Sequence, residues 1–311
     1  MTGRVLVVGD VNPDLLLSGM RTLPRLGQEI LSSNFQLTMG GASANTAVGL
    51  ARLGAEVSFV GVVGDDEMGH FVLRELAAHA VDSQHVVVAP QTTTGLTISL
   101  SYPQDRAFIT HLGSNGALCL DHLDLSLLPA FDHLHVSSYF LLESLQADLP
   151  RVFAAARQAG LSISLDTGWD ARGHWGDGLL ELLPRVDCFL PNALEALYIS
   201  RCDAVEAALE ALQRHCRLVV IKRGAEGVLA GDGETTLSAP AYPIEPVDTT
   251  GAGDSFNAGF IFAFFLQNQA LAEAMRLGAA CGALATQGYG AIASQPTLDQ
   301  ALALVGQYPS G

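Results

Sequence analysis

The stretch DTTGAGDSFNAGF at residues 248–260 sets the expectations for both the fold and the chemistry of this chain. Gly251, Ala252 and Gly253 are small residues directly before a long apolar run, so they predict a tight turn that opens a helix. Their backbone N–H groups, with that of Asp254, would converge at the helix N-terminus, where the helix dipole favours an anion. The Asp254 carboxylate would lie at the same positive end, stay ionised and accept a proton from a hydroxyl group. For a Gly-x-Gly-Asp pattern alone, the simpler interpretation is that Asp254 only caps the helix.

The balance of charges excludes several classes of protein. The chain has 311 residues, 32 acidic and 16 basic side chains and a formal net charge of −16. Such a charge argues against nucleic acid or an anionic membrane as partner, because both are bound by clustered cations. The single lysine, Lys222, lies between Ile221 and Arg223, which excludes the Gly-Lys-Ser/Thr of a phosphate-binding P-loop. Five cysteines without a Cys-x-x-Cys pair, and an apolar run at residues 5–8 too short for a signal peptide, predict a cytoplasmic location.

Apolar runs alternate with amphipathic stretches along most of the chain. Strands are predicted at residues 5–8, 56–60, 161–165, 188–190 and 218–221. Helices are predicted at residues 44–53, 69–80, 149–159, 204–215, 253–266 and 270–286. This alternation indicates a mostly parallel central sheet covered by helices on both faces. Residues 1–311 are therefore predicted to form a single α/β domain.

Two β-rich stretches break the alternation. Residues 15–37 contain no good helix, and residues 92–111 read as strand, turn and strand, with the turn at residues 103–105. These stretches are predicted to leave the main body together as a small accessory sheet, formed by residues of about 12–37 and 92–112.

Further motifs accompany the opening stretch in a fixed order. They are Gly40-Gly41-Ala42-Ser43-Ala44-Asn45-Thr46-Ala47, Gly61-Val62-Val63-Gly64-Asp65-Asp66, Pro191-Asn192-Ala193-Leu194-Glu195 and Gly224-Ala225-Glu226-Gly227. Together they resemble the signatures of the ribokinase-like (PfkB) carbohydrate kinases, and the matches span residue 5 to about residue 294. The resemblance implies a ribokinase-like α/β fold with a small β-sheet lid, and an ATP-dependent kinase that phosphorylates a small sugar.

The resemblance also implies roles around the transferred phosphoryl group. Asp254 would be the catalytic base that takes the proton of the attacking sugar hydroxyl. The N–H groups of residues 251–254 would form the anion hole, which agrees with the helix N-terminus inferred from the residues themselves. Asn192 would contact the nucleotide, and with Glu195 it would organise Mg²⁺ through water. The alternative for Asn192 and Glu195 is ordinary polarity at the start of a helix.

Other matched residues imply sites for the sugar, the nucleotide and a monovalent cation. Asp14, Gly41 and Asn45 match residues that hold sugar hydroxyls in relatives. Gly224 and Gly227 would line the phosphates and ribose of ATP. A monovalent cation, K⁺ in relatives that need one, would be held by four residues: Asp248, Thr250, Gly290 and Ser294. Backbone N–H groups and metal ions would neutralise the phosphates, so a chain of this negative charge can still bind ATP.

Lys222 admits two interpretations. It ends a predicted strand just before the nucleotide loop at residues 224–227, so it could contact the ATP phosphates. The alternative is a solvated lysine at the end of a strand.

The acceptor is inferred from cations and aromatic side chains near the sugar positions. A sugar phosphate would need several cations there, and the nearby candidates are few: Arg21, Arg25 and Arg106. An unphosphorylated sugar is therefore favoured, such as ribose, fructose or a keto-deoxy sugar acid, whose carboxylate Arg106 could meet. A nucleoside kinase of the same family is the alternative, with an aromatic slot built from three side chains: Phe108, Tyr139 and Trp169. A catalytically silent sugar-binding protein is a further alternative, which the intact set of motif residues disfavours.

Two points depend on how closely this chain follows its relatives. After the strand at residues 161–165, relatives often have Asp-x-Asn-x-Arg, whereas this chain has Asp166-Thr167-Gly168-Trp169-Asp170, which leaves the role of residues 166–175 open. In many relatives the lids pair between subunits, so the resemblance implies a homodimer through the lid.

Overall fold

The computed structural model describes residues 3–102, 106–176 and 178–308, and the side chain of Arg106 lies outside this part. Its strands are β1 (Arg4–Val8), β2 (Asn12–Ser18), β3 (Asn34–Gly40), β4 (Glu56–Gly64), β5 (Asp82–Ala89), β6 (Leu96–Ser101), β7 (Arg106–His111), β8 (His133–Val136), β9 (Ser162–Leu165), β10 (Cys188–Phe189), β11 (Leu218–Lys222), β12 (Val228–Gly231) and β13 (Thr236–Ala239). Its α-helices are α1 (Ala42–Arg52), α2 (Glu67–Ala78), α3 (Leu149–Gln158), α4 (Leu179–Leu182), α5 (Ala193–Ser200), α6 (Val205–Gln213), α7 (Ala252–Ile261), α8 (Leu271–Ala285) and α9 (Leu298–Gln307).

The main sheet has the strand order β13-β12-β11-β10-β9-β8-β1-β4-β5. Neighbours from β11 to β5 pair in parallel, whereas β12 and β13 extend the sheet in antiparallel fashion. In β1, Val5 and Val7 pack into one core cluster and Leu6 and Val8 into the other, as expected of a strand buried on both faces. The predicted mostly parallel sheet is confirmed.

Helices cover both faces of this sheet. One core cluster holds Val48 of α1, Phe260 of α7 and Met275 of α8, and the other holds Val152 of α3 and Leu209 of α6. The predicted covering of both faces is therefore confirmed. Among the described helices, none combines the length and the apolar character needed to cross a membrane.

A second sheet, which we call the lid sheet, has the order β3-β2-β6-β7. Its central strand β2 is antiparallel to β3 and parallel to β6, and β6 and β7 are antiparallel. The predicted accessory sheet is thus observed, while its predicted turn at residues 103–105 lies outside the described residues.

The two faces of the lid sheet differ in polarity. Asp14 is paired with Thr38 and Thr97, and both Asp14 and Thr38 are buried on this face. The other face, the outer lid face, consists of apolar side chains from all four strands: Leu15, Leu17, Phe35, Leu37, Ile98 and Ile109. On it Phe35 is 67% exposed and Ile109 is 59% exposed, so an apolar surface faces away from the body.

Some elements differ from the sequence predictions. The helix predicted at residues 253–266 is α7 followed by a π-helical turn, Phe262–Leu266. The strands and α-helices that were not predicted are β5, β8, β12, β13, α4, α5 and α9. The other predicted boundaries agree with the observed ones within four residues.

Candidate active site

Polar side chains gather at the carboxyl ends of the parallel strands. The chain runs from β1 to β4 on one side and reaches β8 on the other, so the strand order reverses at β1. Ligands of open α/β sheets bind at such a switch point. Here Asp10 and Asn12 follow β1, Asp166 follows β9, and Lys222 ends β11.

The first turn of α7 has the geometry of an anion site. Gly251 is its N-cap with φ of 73°, and a Cβ at this position would lie 2.6 Å from the Cβ of Ala291, so the turn requires glycine. The N–H groups of Gly253 and Asp254 fall in the first turn and have no acceptor within the helix. The N–H of Ala252, predicted to serve the anion, instead donates to the carbonyl of Thr249 at 3.3 Å.

Asp254 is held from the neighbouring helix. Nδ2 of Asn45 on α1 donates to Oδ2 of Asp254 at 2.8 Å, and Thr46 Oγ1 donates to the Asp254 carbonyl at 3.5 Å. Burial raises the pKa of Asp254 to about 7, and the charges of Asp166 and Asp10 add to this, while Asn45 and Lys222 oppose it. This raised pKa runs against the expectation that the helix end keeps the carboxyl ionised, because burial is the largest effect on it. A pKa near neutral suits a general base.

A second acid, Asp14, lies on the buried face of the lid sheet. Asn12 Nδ2 donates to Asp14 Oδ1 at 2.8 Å, and Asn115 Nδ2 donates to Asn12 Oδ1 at 3.2 Å. Burial, followed by the charges of Asp10 and Asp254, raises the pKa of Asp14 to about 7. Asn45 Oδ1 is buried and has no partner within the described part of the chain, which leaves an acceptor for a ligand hydroxyl. The predicted sugar residues Asp14 and Asn45 thus share one site with Asp254.

Gly41 and an unpredicted acid, Asp10, form the start of α1. Gly41 is the N-cap with φ of 95°, and a Cβ there would lie 2.7 Å from the Asp10 carbonyl oxygen. Because glycine offers no side-chain cap, the Asp10 carboxylate replaces it: it accepts from Ala42 N at 3.1 Å, Ser43 N at 3.0 Å and Ser43 Oγ at 2.8 Å. The signal that could have revealed Asp10 is its place directly after β1, opposite a Gly-Gly turn.

Asn192 and Glu195 form a capping box at the start of α5. Glu195 N donates to Asn192 Oδ1 at 2.9 Å, and Asn192 N donates to Glu195 Oε2 at 2.8 Å. Their interpretation as helix-start residues is thus confirmed as a local role. Glu195 is also buried, and this burial with the charges of Asp166 and Asp254 raises its pKa to about 7. Within the described part of the chain no group of three or more His, Cys, Asp or Glu side chains could hold a metal ion, so Asn192 and Glu195 would meet Mg²⁺ through water.

Lys222 lies in the interior rather than in solvent. Its Nζ donates to Asp166 Oδ2 at 2.5 Å and to Asn257 Oδ1 at 3.0 Å, and its side chain is only 11% exposed. The interpretation as a solvated lysine is therefore wrong. The contacts with Asp166 and Asn257 were not foreseen from the sequence.

The nucleotide loop follows β11 as a short 3₁₀ turn, Gly224–Glu226. Gly227 N donates to the Gly224 carbonyl at 3.0 Å, and Arg223 N donates to the Gly227 carbonyl at 2.8 Å. A Cβ on Gly224 would meet open space, whereas one on Gly227 would lie 2.1 Å from the Ala239 carbonyl. Gly224 therefore leaves room on the side that a ligand would use, and Gly227 allows close packing on β13.

Three of the four predicted cation residues come together around one carboxylate. Asp248 Oδ1 accepts from Thr250 N at 2.9 Å and Thr250 Oγ1 at 2.7 Å, and Oδ2 accepts from Gly290 N at 3.0 Å. Ser294 lies in the following turn and packs against Gly288.

The candidate acceptor residues are more scattered. Arg21 and Arg25 are exposed between β2 and β3, and the side chain of Arg106 lies outside the described part. Tyr139 is 3% exposed and packs edge-on against Phe140, and its place in an aromatic slot stays a prediction. Trp169 instead contacts two other rings, at centroid distances of 4.8 Å to Trp175 and 5.6 Å to Tyr198. Phe108 lies on β7 of the lid sheet.

Comparison with known proteins gives one consistent family. The pfkB family carbohydrate kinase model matches residues 3–298. A fructokinase of Klebsiella pneumoniae is 32% identical over 315 residues, covering 96% of this chain and 98% of that protein. The structure of Arabidopsis thaliana ribokinase complexed with ribose and ATP has a TM-score of 0.84 at 26% identity, covering 98% and 99% of the two chains. The aminoimidazole riboside kinase from Salmonella enterica, complexed with aminoimidazole riboside and an ATP analog, has a TM-score of 0.80 at 28% identity, covering 97% and 99%.

Proposed function

The chain belongs to the pfkB family of carbohydrate kinases, and from this premise we propose that it transfers the γ-phosphoryl group of ATP to a hydroxyl of a small unphosphorylated sugar. One observation carries the proposal. Asp254, in the first turn of α7, is held by Asn45 in the same site as Asp14, at the carboxyl edge of the sheet. A carboxyl of near-neutral pKa thus stands beside first-turn N–H groups that have no acceptor within the helix, which is the pairing of base and anion site that phosphoryl transfer needs.

In the proposed reaction Asp254 takes the proton of the sugar hydroxyl as that oxygen attacks ATP. The N–H groups of Gly251, Gly253 and Asp254 would donate to the oxygens of the transferring group, and Ala252 would join once it leaves Thr249. Mg²⁺, organised by Asn192 and Glu195 through water, would neutralise the ATP phosphates.

The sugar would lie between the two sheets. Asp14 and Asn45 have acceptor atoms there, and Gly41 lets α1 approach the chain after β1. The lid sheet, formed by residues of about 12–37 and 92–112 within one domain of residues 1–311, would close over the sugar and exclude water.

The favoured acceptor is ribose, fructose or a keto-deoxy sugar acid. Arg106 would bind the carboxylate of the sugar acid. The compared relatives include a fructokinase and a ribokinase complexed with ribose. The second candidate acceptor is a nucleoside. Similarity to the Salmonella enterica kinase complexed with aminoimidazole riboside supports this alternative. The placing of the three rings counts against it, because Tyr139 packs against Phe140, Trp169 packs against Trp175, and Phe108 lies on the lid sheet.

A panel of free sugars, sugar acids and nucleosides, tested with an ATP-consumption assay, separates these acceptors. A free sugar or sugar acid is expected to give the highest kcat/KM. Preference for adenosine or inosine over every sugar would replace the sugar by the nucleoside, and no transfer to any acceptor would support a silent binding protein.

The base assignment has its own test. Asp254→Asn keeps the size of the side chain and an acceptor for Asn45 but removes the proton acceptor. Turnover is expected to fall by about 10²–10⁴-fold, while ATP binding measured by calorimetry stays near that of the parent. A variant that turns over close to the parent rate would refute the base role.

The remaining assignments follow from the same premise. Gly224 and Gly227 would border the nucleotide, and a monovalent cation would be held by Asp248, Thr250, Gly290 and Ser294. Replacing KCl by tetramethylammonium chloride at constant ionic strength tests the cation, since loss of turnover is expected only if the ion is bound. The protein would act in the cytoplasm as a homodimer joined through the outer lid face, which is apolar and exposed.

A further inference from the structure

A closed set of hydrogen bonds lies beneath the first turn of α7. Lys222 Nζ donates to Asp166 Oδ2 at 2.5 Å and to Asn257 Oδ1 at 3.0 Å. Asn257 Nδ2 donates to the same Asp166 oxygen at 2.6 Å, and the other Asp166 oxygen accepts from Gly168 N at 2.9 Å. Each of the three side chains therefore forms a hydrogen bond with both of the others inside the core. We call Lys222, Asp166 and Asn257 the buried triad.

The buried triad joins three elements that meet at the site. Asp166 follows β9, Lys222 ends β11, and Asn257 lies on α7 one turn after Asp254. A Cβ placed on Gly253 would lie 3.7 Å from Lys222 Nζ, so the ammonium group sits directly under the anion turn. The position of that turn relative to the sheet therefore depends on these three side chains.

The triad also places a positive charge in a strongly acidic site. Asp10, Asp14, Asp166 and Glu195 all disfavour a charge on Asp254, and Lys222 opposes them. The compact lysine ammonium reaches two oxygen atoms at this spot, whereas the planar fork of arginine has a different shape. The single lysine of the chain occupies this position, whereas every other cationic side chain of the Lys/Arg type is an arginine.

We propose that Lys222, Asp166 and Asn257 are positioning residues for phosphoryl transfer, which fix the first turn of α7 and the charge around Asp254 and so act on turnover rather than on ATP binding. This rests on the proposed kinase activity. It replaces the expectation that Lys222 serves the ATP phosphates directly, because two of its three ammonium protons are already engaged inside the protein.

Three variants test the triad: Lys222→Met, Asp166→Asn and the double variant. Lys222→Met is expected to lower kcat by about 10–100-fold, as small misplacements of a catalytic turn do, and to change the KM for ATP by less than about twofold. The double variant removes both charges of the buried triad together, so neither is left without its partner, and its melting temperature is expected to return towards that of the parent while its kcat stays low.

The pH profile of kcat/KM gives a second readout that a purely structural role would not move. Removing the Lys222 cation is expected to shift the acid limb to higher pH, and removing the Asp166 anion is expected to shift it to lower pH. Arg157→Met is the matched control, because it breaks the Arg157–Asp187 pair of 2.8 Å near the amino ends of β9 and β10. It is expected to leave kcat and the acid limb unchanged.

Two results would overturn the triad while leaving the kinase proposal intact. One is a rise of more than about tenfold in the KM for ATP at unchanged kcat in Lys222→Met, which would make Lys222 a nucleotide ligand. The other is a double variant that regains the parent kcat, which would limit the triad to the fold. A parent protein that phosphorylates no acceptor would instead refute the kinase proposal, and the triad with it.

Discussion

At the scale of single residues, three buried acids of the site have raised pKa values, whereas the contacts of Asp166 with Lys222 and Asn257 lower the pKa of Asp166. Burial raises the pKa of Asp14, Glu195 and Asp254 to about 7 in each case. The folded protein therefore binds more protons than the unfolded chain between about pH 4 and pH 7. Each of these groups contributes stability that is present at low pH and is lost as the pH rises through 7.

Because the pKa of Asp254 is raised on folding, removing its charge is expected to stabilise the protein only at higher pH. At pH 8 the parent must keep a buried carboxylate, so Asp254→Asn is expected to melt at a higher temperature than the parent. The difference should shrink as the pH falls from about 7 towards about 4, because the folded state takes up the proton of Asp254 over this range while the unfolded chain is still largely ionised. Thermal unfolding across this range, without Mg²⁺ or nucleotide, measures it.

Asp124→Asn is the control of opposite sign. Hydrogen bonds from Ser126 lower the pKa of Asp124, so its removal is expected to lower the melting temperature at pH 8. A melting difference for Asp254→Asn that is the same at every pH would contradict the assigned burial.

The parts of the site that could be predicted depend on contacts between neighbours in the sequence. The parts that could not be predicted depend on contacts between residues far apart in the sequence. The glycine turn before Asp254 is visible in the sequence, because neighbouring residues make it. The contact of Lys222 with Asp166 joins residues 56 apart, and that of Asn257 with Asp166 joins residues 91 apart. Such pairs depend on which strands lie side by side, so the sequence of one chain could not reveal them.

At the scale of elements, α1 begins with a cap supplied by another element. Asp10→Ala would leave the N–H groups of Ala42 and Ser43 without their acceptor, and Asn45 lies only one turn further along. Stability is expected to fall by about 1–2 kcal/mol, the usual value of such a cap, and kcat is expected to fall as well. Chemical denaturation and steady-state kinetics measure the two effects.

Thr297→Ala is the matched control, because the Thr297 side chain also accepts a hydrogen bond from an N–H group in the first turn of a helix, here α9. Thr297 does so from the N-cap position of that helix. It is expected to cost a similar free energy of unfolding without changing kcat. Equal kcat in the Asp10 variant and the parent would show that the start of α1 does not position Asn45.

Burial alone did not decide which elements were predicted, because all four residues of β12 are buried and this strand was not predicted. β1 and β11 each contain an unbroken apolar run, at residues 5–8 and 218–221, so their positions followed directly from the sequence. β13, in contrast, is a four-residue edge strand that is half exposed, and α5 is only eight residues long. Short elements at an edge carry too few buried residues to produce a periodic signal.

At the scale of the whole molecule, the outer lid face predicts the oligomeric state. Contiguous exposed apolar surface on a folded protein usually marks an interface. The double variant Phe35→Asp, Ile109→Asp is expected to convert a dimer into a monomer, measured by light scattering after gel filtration. Leu302→Asp is the control, because Leu302 is 47% exposed on α9 and should leave the dimer intact. A parent protein that is monomeric at tens of micromolar would refute the lid dimer.

The burial of Lys222 also makes the protein suited to a particular kind of measurement. A reagent that acylates side-chain amines has one lysine target in this chain, and that target is 11% exposed and bound to Asp166. Acylation at Lys222 therefore requires the core beneath the α7 turn to open, so its rate follows the frequency of that local unfolding. Peptide mass spectrometry would read the event at a single position, and any ligand that holds the site closed would slow it. Lys222 can thus report, as a single residue, how often the region beneath the active site opens.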